Sequence, residues 1–333
     1  FLQKKGHQVT IFDKDNPASS SASYGNAGHF SPYASVSLNR PDVLTDVPGM
    51  LLSSTGPLAL KWNYVPKMIP WFLKFIINCS KNRMMHTAKY MHQILDLALP
   101  AYDELFDDMD VRGLIEKKGI MYIWNKQNLS SRELEINIRK ELGVKQKLLT
   151  PKEIHDLEPN IKPFYHAGVY YSYARHTRNP KKILLKLLDL FLEKGGKFLK
   201  LNIQDIEFDN EIPILKTDAQ RFIFDKIVIA CGAFSKKLTD KLDEKIPLDT
   251  ERGYHVHFKG CDHLLSRPVV FANKGLGITP MEQGLRVVGT VEFGGLDNPL
   301  SKSRIKNLVD NAKYMFDGLS EHEDEWLGFR PTL

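Results

Sequence analysis

The side chains with the clearest chemical potential in this sequence are two histidines, a cysteine and an arginine. His255 and His257 lie two residues apart, so on a β-strand they would share one face, as two ligands of a metal ion do. The spacing suggests no third ligand, so we predict no metal site. Cys231 could be a reactive thiol, but a small buried side chain is the commoner role of a free cysteine. Arg330, beside a proline, is either a surface residue or a bidentate clamp for a carboxylate.

Composition and short motifs exclude several function classes. The sequence has no G-x-S-x-G elbow, no H-E-x-x-H zinc motif and no Walker A loop. Its 333 residues, 42% of them hydrophobic, suffice for one large or two smaller domains. The net charge of +6 is too small and too dispersed to indicate a nucleic-acid partner. Three distant cysteines form no disulfide framework, so we expect a cytoplasmic protein.

The first thirteen residues outline the end of a helix followed by a strand. Residues 1–5 end in lysines, as helix C-termini prefer, and Gly6 fits the next position. Residues 9–12 predict a short buried strand that ends at Asp13. In a nucleotide-binding βαβ unit, an acid at this place binds the ribose roughly 20 residues after a glycine fingerprint. Such a fingerprint would precede residue 1, so we expect a truncated start; a plain helix–strand unit with a solvated Asp13 is an equal alternative.

Two further segments could contact a ligand or a surface. Residues 19–28 are small and polar, which suits either a flexible loop or a cradle whose backbone approaches a pyrophosphate or a ring. Residues 57–80 are apolar, aromatic and basic, with Pro66 and Pro70 as interruptions. They predict either an interfacial helix on a membrane or a buried amphipathic helix with exposed lysines, and we favour the buried helix.

The middle of the chain has the alternation of a parallel α/β unit. A helix begins at Asn179-Pro180, and strands are predicted around it. The apolar run 227–230 predicts a buried parallel strand that leads into a small-residue turn. Ligands of α/β sheets bind at such carboxyl ends. From residue 252 onward, alternating strands are typical of an antiparallel sheet.

Together these motifs resemble the FAD-dependent D-amino acid oxidase superfamily, most closely its D-amino acid dehydrogenase branch. The resemblance is spread over nearly the whole chain in family order, which makes it more specific than any single motif. It is carried by VTIFDKD (9–15), SYGNAGHFSP (23–32), PLALKWNYVPKMIPWFLKF (57–75), KIVIACGAFS (226–235), RGYHV (252–256), GITPMEQGLRVVGTVEFGGLD (277–297) and WLGFRPTL (326–333).

The resemblance implies roles for individual residues. Arg330 would hold the substrate carboxylate, and Tyr254 and His255 would be candidates for lining the substrate pocket. The implied cofactor is FAD, with the adenosine ribose at the first acid and the flavin and pyrophosphate along the small-residue loop and turn. The residues expected to bind it are Asp13, Ser23, Asn26, Ala27, Gly28, Gly232 and Ala233.

The resemblance also implies the architecture. We expect an α/β fold with a Rossmann-like FAD-binding domain and a second, mixed and largely antiparallel α+β substrate domain. The FAD-binding domain would comprise residues 1–44, 146–250 and 318–333, incomplete at both ends, and the substrate domain residues 45–145 and 251–317. The flavin would lie where the two domains meet, because ligands favour domain interfaces.

The implied reaction is oxidative deamination of D-amino acids to 2-oxo acids and ammonia, with hydride transfer from Cα to flavin N5. The expected partners are an amino acid substrate and a quinone or other membrane electron acceptor. Residues 57–80 would then dock on the inner face of the plasma membrane. Two alternatives stay open: an oxygen-dependent oxidase of glycine, sarcosine or another secondary amine, and a truncated flavoprotein fold without catalysis.

Overall fold

A computed structural model describes residues 1–19, 21–37, 39–41, 43–44, 56, 58–125 and 129–333. Within these ranges, a large mixed sheet forms the centre of the molecule. Its strands, in spatial order, are β17 (His322–Thr332), β13 (Asp249–Lys259), β16 (Gly284–Phe293), β15 (Leu276–Met281), β14 (Val269–Phe271), β5 (Ile120–Trp124), β7 (Ala167–Tyr171) and β6 (Lys147–Leu149), with β3 (Leu58–Leu60) paired to β16. Neighbours are antiparallel except for β14–β5 and β3–β16, so the antiparallel sheet predicted after residue 252 is confirmed.

Smaller sheets flank the large one. A parallel pair joins β1 (Thr10–Asp13) to β9 (Lys197–Lys200), which confirms the strand predicted to end at Asp13. The other two sheets are antiparallel, and they consist of β2 (His29–Phe30), β8 (Arg175–Thr177) and β4 (Ile115–Glu116), and of β10 (Asp205–Asp209), β11 (Ile212–Lys216) and β12 (Arg221–Ile223).

Helices cover the sheets, and several begin where local chemistry predicts. The side chain of Asn179 accepts the backbone N–H of Lys182, with Pro180 at the first helical position. Thr150 and Glu153 form a capping box at the start of another helix. The helices are α1 (Ala22–Gly25), α2 (Val65–Asn78), α3 (Lys81–Asp96), α4 (Ala98–Met109), α5 (Leu129–Glu141), α6 (Pro151–Leu157), α7 (Pro180–Glu193), α8 (Ser235–Thr239) and α9 (Lys302–Met315).

The main core lies between α9 and one face of the large sheet. Ile305, Leu308 and Ala312 of α9 are buried in one cluster with Val256 and Phe258 of β13. These two β13 residues are even-numbered, and successive residues of a strand point to opposite faces. The odd-numbered residues of β13 therefore face the other side of the sheet, which is left for the segment around α1.

The prediction of a buried strand over residues 227–230 is wrong. These residues belong to no strand, and Val228 is 77% exposed. An apolar run forms a strand only where a neighbour completes its backbone hydrogen bonds. Among the described strands, β1 has β9 as its one partner, and no strand pairs with residues 227–230.

The prediction of a buried helix within residues 57–80 is also wrong. This segment divides into β3 and α2, and Met68 is the one α2 residue that is buried. Ile69, Leu73, Ile76 and Ile77 are each about half exposed. The amphipathic pattern is present, but its apolar side is only partly covered by the residues that the structure describes.

Candidate active site

Residues 19–28 are predicted as either a flexible loop or a cradle, and within them the segment 22–28 is fastened to the face of the sheet opposite α9. Arg286 of β16 donates hydrogen bonds from Nη1 to the carbonyls of Tyr24 (3.2 Å) and Asn26 (3.0 Å). The hydroxyl of Thr279 donates to the carbonyl of Ala27 (2.9 Å). Because these donors come from two strands, they fix the backbone of the segment, as a cradle requires.

His255 holds the same segment. Its Nδ1 lies 2.9 Å from the carbonyl oxygen of Gly25, and because a carbonyl only accepts, Nδ1 carries the hydrogen. Its ring stacks on Trp326, with centroids 4.8 Å apart. The pKa of His255 is lowered to about 3, chiefly by burial and then by the charge of Arg286, while the hydrogen bond to Gly25 opposes both. His255 is therefore a neutral fastening residue at pH 7.

Trp326 lies flat against two glycines. A Cβ atom at Gly25 would lie 2.3 Å from the indole, and one at Gly328 would lie 1.8 Å from it. The indole therefore fits between α1 and β17 only because both positions lack a side chain. Its Nε1 is buried and has no hydrogen-bond partner among the described atoms.

The end of the cradle is a turn that requires glycine. Gly28 has φ +70°, and a Cβ there would lie 2.7 Å from the carbonyl oxygen of Thr177. Asn26 closes the turn, because its Oδ1 accepts the N–H of Gly28 (2.7 Å) and its Nδ2 donates to the carbonyl of Ser23 (2.9 Å). Ser23 and Asn26 are exposed, so the outer edge of the cradle remains accessible.

The predicted nucleotide residues of β1 and of the 232–234 turn come close together. Asp13 is exposed at the end of β1, where its Oδ1 accepts the N–H of Asp15 (2.9 Å). Cys231 is exposed, so the prediction of a small buried side chain is wrong. Desolvation by nearby atoms raises the pKa of its thiol, and the charge of Asp13 raises it further, so Asp13 lies near the turn. After Gly232 and Ala233, Phe234 packs on Phe329 of β17 (5.7 Å between ring centroids).

Arg330 lies on β17 one residue after Phe329. Its guanidinium covers Gly253, because a Cβ there would lie 2.3 Å from Nη2. Among the described residues it makes one hydrogen bond, a long one of 3.5 Å from Nη2 to the carbonyl of Thr290. The Arg330 side chain is exposed to solvent, yet desolvation by the atoms around its guanidinium lowers its pKa, and the charge of Glu251, its cross-strand partner, opposes that shift. An arginine with so few partners is available to a carboxylate.

Tyr254, predicted with His255 as a candidate for lining the substrate pocket, does not share the face of Arg330. Its hydroxyl donates to Oε1 of Glu292 (2.7 Å), and Nε of Arg252 lies 3.1 Å from the same oxygen. Successive residues of β13 point to opposite faces, so Tyr254 faces the α9 side.

The described residues contain no group of three or more His, Cys, Asp or Glu side chains placed to hold a metal ion.

Comparison with known proteins agrees with this arrangement. The sequence profile of the family described as FAD-dependent oxidoreductase (DAO) matches residues 1–333. The chain belongs to this family. A D-amino-acid oxidase of Bradyrhizobium diazoefficiens is 30% identical over 338 residues, which are 99% of this chain and 80% of the relative. A D-amino acid dehydrogenase of Vibrio vulnificus is 24% identical over 340 residues, 99% of this chain and 82% of the relative.

The fold of this DAO-family chain is similar to that of solved flavoenzymes. The crystal structure of glycine oxidase from Geobacillus kaustophilus superimposes with a TM-score of 0.70 at 18% identity, covering 99% of this chain and 78% of that one. The predicted mixed α/β fold is therefore confirmed. The chain is an FAD-dependent oxidoreductase, as the resemblance implied.

The residues around Arg330 fit a planar, acceptor-rich ring beside a carboxylate. Gly253 and Gly328 form a floor without side chains between Arg330 and Trp326. Two buried donors there, Trp326 Nε1 and Thr290 Oγ1, have no acceptor among the described atoms. Buried donors are normally paired, so a bound group with carbonyl or carboxylate oxygens would satisfy them.

Three histidines near the cradle predict how stability depends on pH. Burial lowers the pKa of His29 to about 4 and those of His176 and His255 to about 3, whereas an unfolded histidine titrates near about 6.5. The unfolded chain therefore binds protons that the folded chain does not. Their contribution is complete above pH about 6.5 and is lost as the pH falls towards about 4. Urea unfolding between pH 7.5 and pH 5, roughly, should show this loss.

A single variant isolates one of these protons. His255→Gln should reduce the pH slope of the unfolding free energy that these histidines cause by about one third. His7→Gln, at an exposed position, serves as the control and should leave the slope as it is. An unchanged slope in His255→Gln would show that His255 is not held neutral.

Proposed function

We propose that this oxidoreductase deaminates D-amino acids to 2-oxo acids and ammonia. The observation that carries the proposal is the guanidinium of Arg330, which covers a glycine floor next to the cradle and makes, within the described part of the chain, a single hydrogen bond of 3.5 Å. The similarity to a D-amino-acid oxidase supports the choice of substrate class. When bound, FAD supplies an acceptor for the two electrons that leave Cα.

The protein's own part is to bind and orient. Arg330 pairs with both carboxylate oxygens, and a bidentate pair restricts rotation of the substrate better than a point charge does. Orientation of this kind lowers the barrier by holding the reacting atoms at about 3–3.5 Å. His255 and Arg286 contribute indirectly, because they fix the cradle backbone.

We further propose that the FAD-binding domain comprises residues 1–44, 146–250 and 318–333, and the substrate domain residues 45–145 and 251–317. The cradle, β1 and the turn after Cys231 belong to the first group. Asp13 of β1 lies near this turn, and the turn and the cradle both contact β17, which supports the grouping. The FAD-binding side chains and backbone in this proposal are Asp13, Ser23, Asn26, Ala27, Gly28, Gly232 and Ala233.

Anaerobic mixing tests the proposed reaction. FAD-loaded protein is combined with D-amino acids, L-amino acids, glycine and N-methyl amino acids while the visible flavin absorption is followed. Bleaching by D-amino acids supports the proposal and ranks their side chains. Bleaching by glycine or sarcosine alone favours the amine oxidase alternative, and a flavin that no compound bleaches supports the non-catalytic alternative.

We propose a quinone or another membrane-bound molecule as the electron acceptor, in line with the similarity to D-amino acid dehydrogenases. Reoxidation of the bleached flavin distinguishes the acceptors. Rapid reduction of a quinone analogue with little peroxide supports this proposal. Stoichiometric peroxide in air would instead assign an oxidase, the activity named for the relative from Bradyrhizobium.

An exposed apolar surface on α2 and α3, termed the α2–α3 face, supports docking at a membrane. No helix in the described part of the chain is long and apolar enough to cross a bilayer. Exposed lysines and arginines border the face, and α2 has no acidic residue. Its apolar members are Ile69, Leu73, Ile76, Ile77, Tyr90, Met91, Ile94 and Leu97.

Vesicle binding tests the α2–α3 face. The protein should sediment with anionic vesicles more than with neutral ones, and added salt should weaken this binding. Leu73→Glu should reduce the affinity roughly tenfold or more, because burying a leucine contributes about 1.5–3 kcal/mol. Ile223→Glu, at a 69% exposed position on β12, is the matched control. Equal sedimentation with and without anionic lipid would contradict the docking.

A further inference from the structure

Thr290 has a backbone conformation that β-branched residues rarely adopt. Its φ is 59°, in the left-handed region. The cause is a β-bulge: Arg252 pairs with Glu292 and Tyr254 with Gly289, so one β13 residue faces two residues of β16. Bulges next to active sites often re-aim a side chain, and strained residues persist where the surrounding structure holds them.

The hydroxyl of Thr290 lacks a partner. The residue is 3% exposed, and its Oγ1 has no hydrogen-bond partner among the described atoms. A buried hydroxyl without a partner destabilises the folded chain, since it lost its bonds to water. Strain and an unsatisfied donor at the same residue indicate that the position serves something other than folding.

The neighbour of Thr290 is the guanidinium of Arg330. Nη2 lies 3.5 Å from the Thr290 carbonyl, and the guanidinium covers Gly253, the β13 residue that faces the bulge. The residue with the unsatisfied hydroxyl and the clamp are therefore direct neighbours. A carboxylate paired with guanidinium still has acceptor capacity on its oxygens.

We propose that the Thr290 hydroxyl donates a second hydrogen bond to the carboxylate that Arg330 binds. The inference rests on the proposed function, because it assigns a second contact within the same substrate site. In this arrangement, the β-bulge orients the Thr290 hydroxyl towards the α-carboxylate, whatever the substrate side chain. Amines without a carboxylate would gain nothing from it.

The test uses FAD-loaded full chain and propionate, a carboxylate that has no amine to oxidise. Its dissociation constant is measured from the change in the flavin spectrum and, independently, from the rise in melting temperature with propionate. Thr290→Val keeps the shape and removes the hydroxyl, and should weaken binding roughly tenfold or more. Thr290→Ser should retain the wild-type affinity.

Two further variants separate the effect of the hydroxyl on propionate binding from its effect on the stability of the fold. Thr250→Val is the matched control. Thr250 is 2% exposed, its Oγ1 also lacks a partner among the described atoms, and it pairs with Pro331 on the α9 side of the sheet. It should leave propionate affinity unchanged. Thr290→Gly removes the hydroxyl and relieves the strain, so it should weaken propionate binding without lowering the melting temperature.

The outcomes are distinguishable. Equal propionate affinity in Thr290→Val and Thr250→Val overturns the proposal, and so does a wild-type protein that does not bind propionate. Altered flavin spectra with unchanged propionate affinity overturn it too, because the hydroxyl would then face the cofactor. If propionate binding depends on the hydroxyl but no amino acid bleaches the flavin, the carboxylate site stands and the proposed reaction fails.

Discussion

Arg330→Ala should lower the rate constant for flavin reduction by a D-amino acid roughly 10³-fold, measured anaerobically by stopped flow. The guanidinium is the positive charge at the glycine floor, and its loss leaves the substrate carboxylate desolvated and unpaired. The orientation of Cα is lost with it. Both the apparent affinity and the limiting rate should therefore fall.

Two milder variants separate charge from geometry. Arg330→Lys keeps the charge but gives no bidentate pair, so its effect should be intermediate. Gly253→Ala keeps Arg330 itself, but the new Cβ would lie 2.3 Å from Nη2, so the guanidinium must move. A displacement near 1 Å costs roughly 10²-fold in rate when it misplaces the substrate.

The control for Arg330→Ala is the stability of the fold. Among the residues that the structure describes, the native guanidinium makes only the 3.5 Å hydrogen bond to Thr290, so the free energy of unfolding should change by less than about 1 kcal/mol. A near wild-type reduction rate in Arg330→Ala would exclude it as the carboxylate clamp. A slow rate with an unfolded protein would say nothing about the site, which is why both are measured.

Local chemistry predicted much of the fold. The helix start at Asn179-Pro180 is confirmed, because a capping side chain and the proline act on the next few residues alone. The antiparallel strands after residue 252 are confirmed for a similar reason, since their partners are near in sequence.

Errors occurred where the partner is distant in sequence or absent from the described part of the chain. β17 was not predicted, because its acidic start and Pro331 are unlike a central strand; it lies at the edge of the large sheet, where proline is tolerated. Residues 227–230 have strand composition and no partner strand.

The site was predicted in part. The sequence indicated the cradle, the turn after Cys231, and Arg330. In the structure, the cradle and the turn both contact β17, the strand that carries Arg330. It missed Arg286, Thr279 and Trp326, which hold or cover the cradle from three separate strands. No local spacing connects these residues. The glycines under Trp326 and Arg330 are the one feature of the sequence that could have indicated this packing. Their role, which is to leave room for these two side chains, is visible only when the strands lie side by side.

The second large effect is expected at Glu292, two residues after Thr290 but on the opposite face. Glu292 and Arg252 have side chains 3% and 0% exposed, with 3.1 Å between Oε1 and Nε. Glu292→Gln leaves the buried guanidinium without its counter-charge, and should lower the free energy of unfolding by about 3–5 kcal/mol. Denaturant unfolding measures this loss.

Glu207→Gln is the matched control. Glu207 pairs with two cations, Lys216 and Arg221, but its side chain is 42% exposed. The free energy of unfolding should therefore change by less than about 1 kcal/mol. Combining Glu292→Gln with Arg252→Met should recover part of the lost stability, because both buried charges are then removed. If the double variant were less stable than Glu292→Gln alone, Arg252 would be held chiefly by its hydrogen bond to the Pro299 carbonyl (2.6 Å), and the bulge at Thr290 would rest on that contact instead.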